Sequence, residues 1–363
     1  MSLSRFFPPI GLWPRPLQWV GLVAGSVGLA ALLFAAGLPA ALLLGPMAAG
    51  IAAGVGGATI RVPDPLAIAA QAIVAMLIAS AITPGIVGTF LSDWPLFIAI
   101  VATTIIASSS LGYVMSRRRI LPGTTAVWGS SPGAASAMVL MAEAFGADAR
   151  LVALMQYLRV VMVAGSASIL AGFFVDLSGA PRPETVWFPP IDAAAFGGTV
   201  AVAVIGTLIG RVSRIPSGTM LVPMVVGAAL HATGTLAIQL PEWLLSIGYA
   251  LIGWRIGLGF THAIVRHAAR ILPHLILSIA VLIAFCGGLA LLLVHLLGVD
   301  PLTAYLATSP GGMDSIAIIA AATPVDISFV MALQVVRFFL IVLLGPSIAG
   351  FIARRIHASE HSH

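Results

Sequence analysis

Apolar runs of about twenty residues recur along nearly the whole length of this 363-residue chain, and no other feature constrains its fold as strongly. About 20 helical residues cross the hydrocarbon core of a bilayer. The runs lie at 18–37, 40–58, 66–89, 95–115 and 150–174, then at 194–210, 217–237, 243–261, 272–297 and 327–352. Charged side chains make up 8% of the residues, against about 25% in an ordinary soluble domain. Such a chain cannot cover a water-facing surface. The fold class it predicts is an all-α polytopic membrane protein.

A polar, proline-rich stretch, DLSGAPRPETVWFPPID at 176–192, interrupts the runs and reads as a linker between halves. The halves are repeats. Pro132 and Pro310, Asp148 and Asp326, Gln156 and Gln334, and Arg159 and Arg337 all lie 178 positions apart; Pro46-Met47 and Pro223-Met224 lie 177 apart. The reading is a first repeat at 1–178, a polar linker at 179–192, a second repeat at 193–353 and a polar tail at 354–363. Duplication is a common building plan for transporters.

Two segments, 123–146 and 301–323, carry Ser-Pro-Gly within otherwise apolar sequence: GSSPGAAS and TSPGGMD. If each enters the membrane and returns to the same side, Arg5, Arg15, Arg61, Arg117, Arg118, Arg119 and Arg150 share one side with Arg211, Arg214, Arg266, Arg270, Arg354 and Arg355. That arrangement obeys the positive-inside rule at every loop. It gives five transmembrane helices plus one re-entrant Ser-Pro-Gly helix per half, and an odd span count makes the repeats inverted. A discontinuous crossing helix is the alternative. The Arg-rich loops and the C-terminus then face the cytoplasm of a bacterial inner membrane.

A backbone break at membrane depth is tolerated only in a protein-lined or wet cavity. In the first break Ser131 is expected as an N-cap, Pro132 at the first helical position, and Gly133 for close approach, opening a half-helix over 134–145. The second break repeats the plan with Ser309, Pro310, Gly311 and Gly312. The candidate substrate cradle is therefore Ser130, Ser131, Gly133 and Ser136 with Ser309, Gly311 and Gly312. The following spans, MQYLRVVM and LQVVRFFL, place Gln156 with Arg159 and Gln334 with Arg337 at i, i+3 on one helix face. A charge that deep is costly, and such residues usually serve a cavity. The guanidinium suits carboxylate or phosphate oxygens; it could instead be held by Asp314 or by helix C-terminal carbonyls. Asp314, with Thr308, is the candidate site for a coupling cation.

Other polar residues read as structural. Glu143, Asp148 and Asp326 suit helix capping, and the single cysteine, Cys286, suits a small core residue. His231, His274 and His295 form no HxxxH or HExxH spacing, so no metal site is expected. Trp13, Trp19, Trp94, Trp187 and Trp243 lie at span ends as interfacial anchors. The N-terminus shows no cleavable-signal pattern, and no nucleic-acid motif is present.

Through GSSPGAASAM, TSPGGMDSIA, QYLRV and QVVRF, the chain resembles the AbrB-type membrane family over nearly its whole length. That family is often labelled "ammonia monooxygenase" or, through a shared name, a transcriptional regulator. Its plan is similar to sodium-coupled citrate and glutamate symporters and to the cation/proton antiporter and bile-acid symporter fold. The resemblance implies a core domain that carries substrate past a scaffold, often in a homodimer. The residues give no support to the enzyme label, because an oxidising copper or di-iron site needs clustered histidine and carboxylate ligands. The expectation is a secondary transporter of a small organic anion, with H⁺ or Na⁺ as coupling ion and no other cofactor. A passive channel is the alternative, and a membrane metalloenzyme a weaker one.

Overall fold

The computed structural model describes residues 10–36, 41–121, 124–174, 187–213, 215, 217–311, 316 and 325–360. Every long element among them is an α-helix, and no strand occurs among the described residues. In chain order the helices are α1 (Arg15–Ala35), α2 (Ala41–Val55), α3 (Asp64–Ser80), α4 (Pro84–Ser92), α5 (Trp94–Arg117), α6 (Thr125–Ser130), α7 (Ala135–Ala144) and α8 (Ala149–Phe174). There follow α9 (Ala193–Val212), α10 (Gly218–Ala232), α11 (Glu242–Gly257), α12 (His262–Leu297), α13 (Pro301–Thr308) and α14 (Ile327–Glu360). Six of them are long and apolar enough to cross a membrane, or seven if α3 and α4 form one interrupted span.

The expected ten full-length spans are thus reached only in part. Helices α2 and α10 have 15 residues each, about 22 Å at helical rise. Each ends in a glycine turn that only a positive φ allows, at Gly57 (φ 83°) and Gly234 (φ 71°). Each also carries its proline at the sixth position, Pro46 and Pro223, so the duplication seen in the sequence persists as matched helix geometry. Helix α14 runs on through the expected polar tail as far as Glu360.

The chain divides into two compact units, and each draws on both repeats. The first comprises Met1–Ser80 and Thr185–Arg270. Here α2 packs on α1 and α11, and α3 and α9 pack on α10. Small residues let the backbones meet: a Cβ on Gly50 would stand 3.1 Å from the Gly257 Cα, and one on Gly253 2.9 Å from the Leu43 carbonyl oxygen. These are the Gly-x-x-x-Gly pairs Gly50/Gly54 and Gly253/Gly257, whose packing replaces the hydrophobic drive that lipid removes. The outward sides of α1 and α9 are apolar and exposed, with Val20, Val27, Val204 and Leu208 among them. A membrane accounts for such faces; water does not.

The second unit, Ala81–Glu184 with Ile271–His363, holds both Ser-Pro-Gly segments. All six residues of α6, and α13 from Leu302 to Thr308, are buried. Helix α6 lies against α5, α7 and α8, while α13 lies against α8 and α14. The helices that lead into both breaks are therefore lined by protein, as a bare backbone at membrane depth requires.

Candidate functional site

The first break owes its shape to Pro132. A residue preceding proline is pushed out of the helical region, and Ser131 has φ −62° and ψ 121°. Ser131 therefore closes α6; it does not open α7. Its N–H donates to the Val127 carbonyl at 3.1 Å, and its Oγ donates to the same carbonyl at 2.7 Å. The expected N-cap role is thus corrected. Helix α7 starts at Ala135 behind Ala134, with no side-chain cap, and its ten residues reach about 15 Å. Ser309, which precedes Pro310, has φ −54° and ψ 139° and closes α13 in the same way.

The two ends of each broken segment meet. The Asp148 N–H donates to Thr125 Oγ1 at 3.1 Å, which joins the start of α6 to the start of α8. The Asp326 N–H donates to Thr303 Oγ1 at 3.3 Å, joining α13 to α14. Thr125 and Thr303 are 178 residues apart, as are Asp148 and Asp326. In both segments the two ends are tied together by a matching bond.

The tip is where Gln and Arg act. A helix that stops in the interior leaves its last carbonyls without partners. Gln156 Nε2 donates to the carbonyls of Trp128 (2.9 Å), Gly129 (3.2 Å) and Ser131 (3.0 Å). Arg159 Nη1 donates to the Ser131 carbonyl at 2.8 Å, and Nη2 to the Gly133 carbonyl at 3.3 Å and to Gln156 Oε1 at 2.6 Å. The second repeat has nearly the same wiring, lacking a counterpart of the Gly129 bond. Gln334 Nε2 meets the carbonyls of Leu306 (2.8 Å) and Ser309 (3.3 Å). Arg337 meets those of Ser309 (2.7 Å) and Gly311 (3.1 Å), and Gln334 Oε1 at 2.5 Å. Each guanidinium sits at a helix C-terminus, where the dipole favours a cation. The i, i+3 spacing is explained: Gln and Arg together cap a broken helix through its carbonyls.

Between the two arginines, one bond breaks the match. Arg337 Nε donates to the Pro132 carbonyl at 2.8 Å and so crosses to the other repeat's tip. The equivalent atom, Arg159 Nε, has no partner among the described residues although Arg159 is 1% exposed. The two guanidiniums thus hold three successive carbonyls, those of Ser131, Pro132 and Gly133. Neither has a carboxylate partner among the described residues; the ion pairs recorded there are Asp148–Arg150 and Asp64–Arg255.

Other expected residues fall into place around these tips. Ser130 is buried and donates to the Val127 carbonyl, and Ser136 is buried in the first turn of α7. Thr308 is buried, and its Oγ1 donates towards the carbonyls of Ala304 (2.9 Å) and Cys286 (3.1 Å). Gly312 and Asp314 lie outside the described residues. Asp326 caps α14 through the Phe329 N–H, and Asp148 holds Arg150 at 2.9 Å. Burial pushes the Asp148 carboxyl up, but hydrogen bonds and charge from Arg150 outweigh it and leave its pKa below the ordinary 3.8.

Two contacts near the tips have no counterpart in the sequence reading. The Tyr305 hydroxyl and Ser166 Oγ lie 2.7 Å apart, linking α13 to α8. Trp128 is buried and stacks on Phe145 at 5.5 Å. A tyrosine or tryptophan in a buried helix asks for such partners, so residue type was the available signal.

A family model described as the transition state regulatory protein AbrB matches residues 42–353. A relative from Escherichia coli strain K12, named as a regulator AbrB, is 47% identical over 338 residues, 93% of this chain and 97% of its own length. An uncharacterized Bacillus subtilis (strain 168) protein, YhjN, is 26% identical over 257 residues, 65% of each chain. No solved structure shows a significant match.

Proposed function

The chain belongs to the AbrB family, and from that premise we propose that it is a secondary transporter of a small organic anion. The observation that carries this reading is the pair of buried arginines at the two tips, with no carboxylate among the described residues to balance them. Two uncompensated guanidiniums in a low-dielectric interior favour an anionic guest. The family description and the name of the Escherichia coli relative speak of regulation. The physical features here, six span-length helices and breaks reached through protein-lined helices, are those by which transporters hold a solute at mid-membrane.

In this reading each half is inverted relative to the other and contributes five spans and one re-entrant Ser-Pro-Gly segment. The meeting of the two ends of 125–148, and of 303–326, supports re-entry over a full crossing. The tips, from Ser130 to Gly133 and from Ser309 to Gly312, form the cradle, with Ser136 at its edge. Arg159 and Arg337 supply the positive field, and Gln156 and Gln334 hold them in place. Asp314 with Thr308 serves the coupling cation, H⁺ or Na⁺. The protein is not an enzyme, sits in a bacterial inner membrane as a homodimer, and keeps its Arg-rich loops and C-terminus in the cytoplasm.

The test is a thermal-stability screen of the purified chain against organic acids, amino acids and phosphate compounds, with and without Na⁺. The same screen is run on Arg159→Ala and Asp314→Asn. A ligand that stabilises the wild type, and stabilises each variant less, supports the reading. Ligands that stabilise all three proteins equally overturn it.

A further inference from the structure

The two arginines share every hydrogen bond but one, and that difference bears on what the site takes. Three bonds to Arg159 and three of the bonds to Arg337 go to matching atoms, 178 residues apart. Arg337 makes a fourth, through Nε to the Pro132 carbonyl. Pro310 is the matching carbonyl for Arg159, yet no bond joins them, and Arg159 Nε is a buried donor with no partner among the described residues. A buried donor left unpaired is expensive, and more so on a charged group. A guanidinium has no acceptor capacity and cannot shed the difficulty by rotating a hydroxyl.

The neighbouring atoms limit what can meet this donor. A two-pronged contact on the edge shared by Nε and Nη2 needs both groups free. Arg159 Nη2 is already engaged by the Gly133 carbonyl and Gln156 Oε1, so that edge has room for one oxygen. Arg337 has neither group open, since its Nε and Nη2 are both engaged. Resting on the anion-transport reading above, we propose that the two arginines divide the work: Arg159 Nε is the binding point for one carboxylate oxygen, Arg337 locks the tip through Pro132, and the substrates are monocarboxylates.

Beside Arg159 Nε, the other unpaired buried donor in this broken segment among the described residues is Trp128 Nε1, a neutral indole, so a second or third carboxylate meets no second unpaired cationic nitrogen there. Extra negative charge then pays its desolvation without a partner, so di- and tricarboxylates gain nothing over a monocarboxylate. Lysine at 159 keeps the charge but cannot cap the same carbonyls and present Nε together.

The experiment uses the full chain in lipid nanodiscs, with acetate, succinate, citrate and inorganic phosphate as probes, and binding read by calorimetry and thermal shift. Arg159→Lys and Arg337→Lys are compared with wild type, with size-exclusion profile and helicity as folding controls. The expected result is acetate binding in wild type, weakened at least about tenfold in Arg159→Lys. In Arg337→Lys the melting temperature falls, and acetate affinity drops by clearly less than in Arg159→Lys. Succinate and citrate bind no tighter than acetate in wild type, a comparison that needs no variant. Equal loss of affinity in the two variants overturns the division of labour, and so does citrate or succinate binding tenfold tighter than acetate; in both cases anion transport survives. Binding of none of the four probes overturns this inference and weighs against the anion reading itself.

Discussion

At the scale of single residues, the physics of the site is that of capping. Gln156 donates to three carbonyls and accepts from Arg159, all in a buried setting. Gln156→Leu keeps the volume and leaves those groups unpaired, so we expect a loss of about 2–4 kcal/mol in unfolding free energy in detergent. Gln334 donates to two carbonyls and accepts from Arg337, so Gln334→Leu is expected to cost a similar or slightly smaller amount. A near-neutral result at either position contradicts the capping account. Asp148 gives a pH test. Its folded pKa is depressed below 3.8, so the stability it adds is complete above that value and is lost as pH falls through the folded pKa. The pair with Arg150 is partly exposed, and the increment is at most about 1 kcal/mol. Melting temperatures measured from pH 7 down to pH 3 should fall further for wild type than for Asp148→Asn; parallel curves contradict the assignment.

At the scale of elements, tied ends and capped carbonyls explain how a chain this apolar tolerates two breaks. Each broken segment is tied at its ends by a threonine hydroxyl that accepts from the first N–H of the next helix. Thr125→Val and Thr303→Val each remove one such bond at nearly constant shape. Each should cost about 1 kcal/mol, and melting curves of the two variants should shift alike. A shift at only one of them means the repeats are not mechanically equivalent. Much of this was legible in the sequence, because the offset of 178 residues singled out Pro132, Gln156 and Arg159 with their partners. The role of Ser131 was not legible. A serine beside a proline suits either end of a helix, and only the Val127 carbonyl within reach of its Oγ decides for the C-terminus. Span lengths were likewise misjudged for α2 and α10, since hydropathy continues past Gly57 and Gly234 while the backbone turns there.

At the scale of the whole molecule, repeats in sequence and units in space are different partitions. Each unit takes helices from both halves: one boundary between the units falls within the 179–192 linker, and two others fall inside the halves, after Ser80 and after Arg270. The first unit is held by glycine-mediated contacts between α2 and α11, which come from different halves. The second unit gathers both tips, both glutamines and both arginines. Sequence periodicity cannot report this, because pairing between repeats is a tertiary choice. The interlock of Arg337 with the Pro132 carbonyl is its clearest expression.

The central claim is that this molecule carries an anion across the membrane by exchange at those tips. Counterflow in proteoliposomes tests it most directly, with ¹⁴C-acetate outside and unlabelled acetate at high concentration inside. The account predicts transient accumulation of label above equilibrium in wild-type vesicles, absent from protein-free vesicles and strongly reduced with Arg159→Lys. Label that merely equilibrates, at a rate indifferent to internal acetate and to residue 159, would contradict a carrier and leave a passive path for the solute.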